Sequence, residues 1–153
     1  MNDDAFQQLH GYYIEELTVG QTAVYSKMFT DADVLQFTAV SGDDNPLHTN
    51  AEFAEKTRFG KHIIHGMLTT SLWSTIIGTK LPGPGCAYMS QSLNFYLPVY
   101  VGDTVMAVMT ITKIDIEKQR VFLEGEAYVS DKLVASGEAM VWVPKKNGKA
   151  PLI

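Results

Sequence analysis

Within eight residues, Ser41-Gly42-Asp43-Asp44-Asn45-Pro46-Leu47-His48, the chain places two carboxylates, a turn-forming Asn-Pro and an imidazole. Asp43 and His48 stand on either side of that turn, close enough in sequence for both side chains to reach a common point. A carboxylate and a neutral imidazole sharing one water can serve as general base and acid, each effect worth about 10²–10⁴ in rate. Asx residues in such a run also close turns without doing chemistry, so the motif by itself supports both readings. Gly42 and Pro46 exclude one continuous helix, because Gly weakens a helix interior and Pro lacks the N–H donor. The stretch is expected to be an ordered loop, and loops held by a rigid scaffold commonly carry binding and reacting groups.

A second constellation is His65-Gly66-Met67, at the expected start of an apolar helix. A helix that begins inside a protein leaves N–H groups without partners, and those groups with the helix dipole favour an oxyanion. Gly66 lets a carbonyl approach the backbone closely, though close packing of helix on sheet would also call for glycine. One preorganised donor of this kind is worth about 10²–10³ in turnover. His62 and His65 form His-x-x-His, but a helical zinc motif needs an intervening Glu and ligands four apart, so no metal site is expected. Lys56, Arg58 and Lys61 cluster just before the same helix, either as a solvated basic surface or as a phosphate contact. His10, in the lead-in, is expected to face solvent.

These groups need elements to hold them. Thr22 to Phe29 alternates as a first strand, with Ala23, Tyr25 and Lys27 on one face. Thr30 and the acidic residues after it predict a helix start, and Val34, Leu35, Phe37 and Ala39 give that helix an apolar face until it ends near Ser41-Gly42. Thr49 or Asn50 can cap a short helix through Glu55, placing Phe53 and Ala54 toward the core. From Ile63 to Thr79 there is no Asp, Glu, Lys or Arg, and Met67, Leu68, Leu72, Trp73, Ile76 and Ile77 recur at helical spacing. This is a buried helix, closed by Leu81-Pro-Gly-Pro-Gly85 and too short for a membrane span. On a regular helix Thr70, Ser74 and Ile77 share the face of Gly66, with ordinary core packing the leading account of Ile77.

The second half changes period. Tyr88–Phe95, Thr104–Ile114, Arg120–Val129 and Leu133–Val143 are strand candidates rich in β-branched and aromatic residues. Their alternation implies an antiparallel sheet with one covered face, and the charge-free helix is the natural cover. The expected fold class is therefore α+β, a long curved antiparallel sheet wrapped around one central buried helix. Residues 1–153 are expected to form one domain, with 1–18 an irregular lead-in and 145–153 a less ordered tail. Such a sheet leaves exposed edges, which makes a two-fold homodimer the expected assembly.

Composition narrows the function classes. The chain is 46% hydrophobic and 19% charged with net charge −5, and its basic residues form no long run, so neither nucleic acid nor an anionic membrane is expected as the main partner. The polar, acidic start lacks the features of a secretory signal, and the expected location is the cytoplasm. Cys86 is the single cysteine, which excludes an intramolecular disulfide.

Ser41-Gly-Asp-x-Asn-Pro-Leu-His48, the following Phe53-Ala54, His65-Gly-Met-Leu68 and Leu81-Pro-Gly-Pro-Gly85 together resemble the MaoC-like (R)-specific enoyl-CoA hydratases. The resemblance covers roughly Val19 to Pro144. It implies a hot-dog fold, a homodimer and an acyl-CoA thioester substrate, with no metal and no cofactor beyond the CoA of that substrate. It implies that Asp43 and His48 are the catalytic pair, that Asp43 is base toward the water attacking C3, and that the Gly66 N–H binds the thioester oxygen. Asn45 would orient the pair, and His65, Met67, Thr70, Ser74, Ile77, Lys56, Arg58 and Lys61 become candidate substrate contacts. Asp44 falls at a variable position. The sequence departs from the pattern at Asn50, where related motifs often carry Asp. The resemblance suggests supply of polyester precursors from fatty-acid oxidation. A hot-dog thioesterase and a non-catalytic acyl-CoA-binding protein are the alternatives, and the thioesterase usually places a carboxylate on the central helix, where this chain has none.

Overall fold

The computed structural model describes residues 1–148. Its scaffold follows from the alternation in the second half of the chain. β4 (Thr104–Asp115) buries Val105, Ala107, Met109 and Ile111, and β5 (Arg120–Val129) buries Val121, Leu123, Gly125 and Ala127. With β1 (Thr22–Met28), β2 (Ala87–Gln91) and β6 (Lys132–Trp142) they form an antiparallel sheet in the order β1-β4-β5-β6-β2. The strand expected over Tyr88–Phe95 is broken in two. After β2, a two-residue β3 (Asn94–Phe95) continues along β6, because the Ser92 hydroxyl accepts the Glu138 N–H at 2.9 Å where a backbone carbonyl would otherwise pair.

Across the covered face lies α5 (Gly66–Thr79), the charge-free helix. Trp73 and Ile76 are 1% and 0% exposed, and the Trp73 indole N–H donates to the Glu126 carbonyl at 3.2 Å. Gly125 makes this packing possible, since a Cβ there would lie 2.9 Å from the Trp73 ring. Burial of such side chains, each worth roughly 1.5–3 kcal/mol, makes α5 the centre of the core.

Short elements hang on this frame. α2 (Asp31–Ser41) starts where expected: the Thr30 hydroxyl accepts the Asp33 N–H, and the Asp33 carboxylate accepts the Thr30 N–H at 2.8 Å. It stops at Gly42, whose φ of 78° lies in the left-handed region that glycine adopts without strain. In α4 (Ala51–Glu55), capped by Asn50, only Ala54 reaches the core; Phe53 is 47% exposed, because five residues offer one inward position.

The lead-in is not irregular. Asn2 caps α1 (Asp3–Leu9), and a 3-10 turn at Ile14–Glu16 places Ile14 and Leu17 in the core. Gly11 and Tyr12 donate to the Pro84 and Pro82 carbonyls, both at 2.8 Å, so the segment is strapped to the loop after α5. His10 does not simply face solvent: it is half-buried, donates from Nδ1 to the Gly11 carbonyl at 2.8 Å and stacks on Tyr13. Residues 149–153, most of the tail expected to be less ordered, lie outside the described residues.

Candidate active site

Three local structures meet at one end of α5. The first is the loop Gly42–Asn45. Asp43 N–H donates to the Ser41 hydroxyl at 3.2 Å, and Asn45 N–H donates to Asp43 Oδ1 at 3.3 Å, an Asx turn that leaves the carboxylate 52% exposed. The second is α3 (Pro46–Thr49), a single turn of helix where a loop is expected. Pro46 takes the first helical position, where a missing N–H costs nothing, and Asn45 Oδ1 caps the turn by accepting the Leu47 N–H at 3.0 Å. Asn45 therefore caps the helical turn that carries His48. The third is the start of α5 itself.

Asp43, His48 and His65 each place one ligand-type atom within 4.8 Å of the others. Carbonyl oxygens only accept, which fixes two tautomers. His48 Nδ1–H donates to the Ile63 carbonyl at 2.8 Å, so its Nε2 carries the lone pair. His65 Nε2–H donates to the Asp43 carbonyl at 3.0 Å, leaving Nδ1 as its acceptor. This three-residue cluster has the ligand types of a metal site, but His65 spends Nε2 on a carbonyl. Burial holds the His48 imidazole below its ordinary 6.5, and nearby His65 pushes the same way, against the lift from the Ile63 carbonyl and Asp43.

A neutral His48 with Nε2 bare and the carboxylate of Asp43 are both acceptors. A water between them must donate both hydrogens, which turns its own lone pairs outward toward an electrophile. Beside it, α5 begins at Gly66 with His65 as the flanking residue, whose side chain makes no cap. Among the described residues the Gly66 and Met67 N–H groups have no acceptor, so the positive end of a fourteen-residue helix is open to an oxyanion.

His48 and the start of α5 border a groove of about 380 Å³, whereas Asp43, Asn45 and His65 stand beside it and do not line it. His48, Gly66 and Thr69 contribute its polar end, while Ile63, Ile64, Leu97, Val99 and Val134 supply apolar wall. Phe95 lies against Gly66 so closely that a Cβ there would come within 2.8 Å of the ring. Of the predicted contacts, Gly66, Met67 and Arg58 line the groove, with His48 at its polar end. Thr70, Ser74 and Ile77 do not: Thr70 bonds back to the Gly66 carbonyl, Ser74 is exposed elsewhere and Ile77 is core. The helix instead presents Thr69, one turn beyond Gly66. The basic cluster also separates. Arg58 sits over the Phe59 ring at the groove, Lys61 lies over Tyr100 at a different hollow, and Lys56 closes α4. His65, expected as a substrate contact, is 2% exposed and lies behind the pair. Thr69 and the Phe95–Pro98 wall were not apparent in the sequence; the proline after an aromatic run, which breaks strand pairing, is the one signal for that wall.

Residues 16–132 match the MaoC like domain family. The chain is 42% identical to the 3-hydroxybutyryl-CoA dehydratase of Methylorubrum extorquens, an alignment covering 95% of this chain and 92% of that protein. It is 42% identical to the (R)-specific enoyl-CoA hydratase of Rhodospirillum rubrum, over 89% of this chain and 94% of that one. Among solved structures, the (R)-hydratase of Aeromonas caviae involved in PHA biosynthesis superposes with a TM-score of 0.82 at 44% identity, covering 85% and 99% of the two chains.

Proposed function

The chain belongs to the MaoC-like family, a hot-dog fold, and from that premise we propose that it is an (R)-specific enoyl-CoA hydratase. It adds water reversibly to a trans-2-enoyl-CoA to give an (R)-3-hydroxyacyl-CoA. The observation that carries the reading is the convergence of Asp43 and His48 beside the open N-terminus of α5, where His48 and Gly66 line the groove.

Asp43 takes a proton from the water as its oxygen bonds to C3, and the C2–C3 π electrons move toward the thioester oxygen. The Gly66 N–H donates to that oxygen as enolate character develops, and the proton taken by Asp43 is returned to C2 with His48 helping to position it, so the C3 oxygen keeps the second hydrogen of the water and the Asp43 carboxylate is regenerated. Hydration needs no cofactor beyond the CoA of the substrate. The apolar wall suits an acyl chain, and Arg58, the one basic side chain of the cluster that lines the groove, is the candidate contact for a CoA phosphate. Products of (R) configuration fit supply of polyester synthesis, the role that the Aeromonas structure carries in its name. A homodimer fits the sheet, in which β1 and β2 each pair on one side only among the described residues.

Hydration of crotonyl-CoA is tested by loss of the enoyl thioester absorbance beside thiol release. Loss without free CoA is expected. Free CoA without hydration would replace this reading by a thioesterase, and neither change would replace it by a binding protein.

A further inference from the structure

A residue that flanks a helix start is usually one whose side chain caps the helix, such as Ser, Thr, Asp or Asn. At α5 that place is taken by His65, and its ring turns away from the helix. It donates instead to the backbone carbonyl of Asp43, at 3.0 Å and 22 positions distant in sequence. The ring is 2% exposed, packs against Phe37 and lies 4.0 Å, centroid to centroid, from the His48 ring. Its other nitrogen, Nδ1, is buried and has no partner among the described residues. A buried acceptor left unsatisfied costs free energy, so packing alone gives no reason for an imidazole here, and an apolar side chain of the same shape would avoid that cost.

We propose that His65 is a positioning residue that ties the base-bearing loop to the oxyanion end of α5. Its backbone begins the helix whose free N–H groups receive the thioester oxygen. Its side chain holds the carbonyl of the residue whose carboxylate takes the proton. Its ring face supports His48. One residue thus sets the spacing between the group that activates water and the group that stabilises the enolate. By leaving its own helix uncapped, it also leaves that second group available. Displacement of a reacting group by about 1 Å is enough to cost about 10²-fold in rate.

This inference rests on the hydratase reading, and its test separates the two. Long-range ¹H–¹⁵N spectra of the wild-type protein are expected to show His65 protonated at Nε2 and His48 at Nδ1, opposite tautomers of adjacent rings. A His65 ring protonated at Nδ1 would overturn the proposal whatever the enzyme does. In His65→Gln the amide nitrogen reaches as far as imidazole Nε2, whereas in His65→Asn it stops at the reach of Nδ1. His65→Asn is expected to lower kcat for crotonyl-CoA hydration by about 10²-fold with KM little changed, and His65→Gln to recover about tenfold of that loss. Equal kcat in the two variants, both folded by their melting curves, would contradict the proposal. Should either variant fail to fold, the wild-type tautomers still decide it. A wild type that hydrates no enoyl thioester would end the hydratase reading and leave the tautomer result standing.

Discussion

The stretch Gly42–His48 and the helix α5 meet beside one groove, which His48 and Gly66 line, yet they are built by opposite means. Asp43 is half exposed, and the loop is shaped by side-chain-to-backbone bonds between near neighbours, from Ser41, Asp43 and Asn45. In α5, Leu72, Trp73, Ile76 and Ile77 are 3% exposed or less, held chiefly by contacts from β1, β4 and β5. The contrast teaches a division of labour. In the proposed mechanism, the groups that exchange protons stand on a locally determined segment near water, and the helix whose dipole receives the oxyanion is anchored in the core. His65 joins the two.

If that division is right, substitutions in the two regions should damage different quantities. His48→Ala is expected to lower crotonyl-CoA hydration by at least about 10²-fold while leaving the melting temperature near wild type; a tenfold or smaller loss would remove His48 from the pair. Trp73→Ala should do the reverse, costing about 3–5 kcal/mol in denaturant unfolding with a much smaller change in turnover per folded molecule. A Trp73→Ala protein of wild-type stability would break the comparison. Asn45→Ala removes the cap of α3 and is expected to cost about 1 kcal/mol and to reduce kcat less than His48→Ala does.

The pH profile sharpens the same contrast. His48 must be neutral for Nε2 to accept a hydrogen from water, and burial lowers its pKa, so its protonation is delayed to more acid solution. The acid limb of kcat/KM assigned to His48, by its loss in His48→Ala, should therefore lie below 6.5; a limb above 6.5 would contradict the assignment. The smallest effect is expected in the basic cluster. Arg58→Ala should raise KM for CoA substrates and Lys56→Ala should not, because Arg58 alone of these two lines the groove.

Much of this was legible in the sequence wherever structure is set by short-range rules. Thr30, Gly42 and the uncharged run from Ile63 mark helix ends and a core helix by chemistry that reaches only a few residues. Alternation in β4 and β5 reports burial directly. What was hidden depends on distant partners. The lead-in has no period because Ile14 and Leu17 reach the core from single turns, and its backbone bonds go to the Pro82–Pro84 loop. Helical spacing placed Thr70, Ser74 and Ile77 with Gly66, but the groove opens where Phe95, Leu97 and Val99 face the first turn, and that turn offers Thr69. No local pattern shows that His65 bonds the Asp43 carbonyl. Only the fold brings those residues together.

The most direct test is Asp43→Asn, with hydration rate and melting temperature measured on the same sample. The account predicts a rate lower by at least about 10²-fold at an essentially unchanged melting temperature, since the carboxylate is half exposed and only its charge is removed. Near-normal hydration, or a loss of rate matched by unfolding, would contradict it.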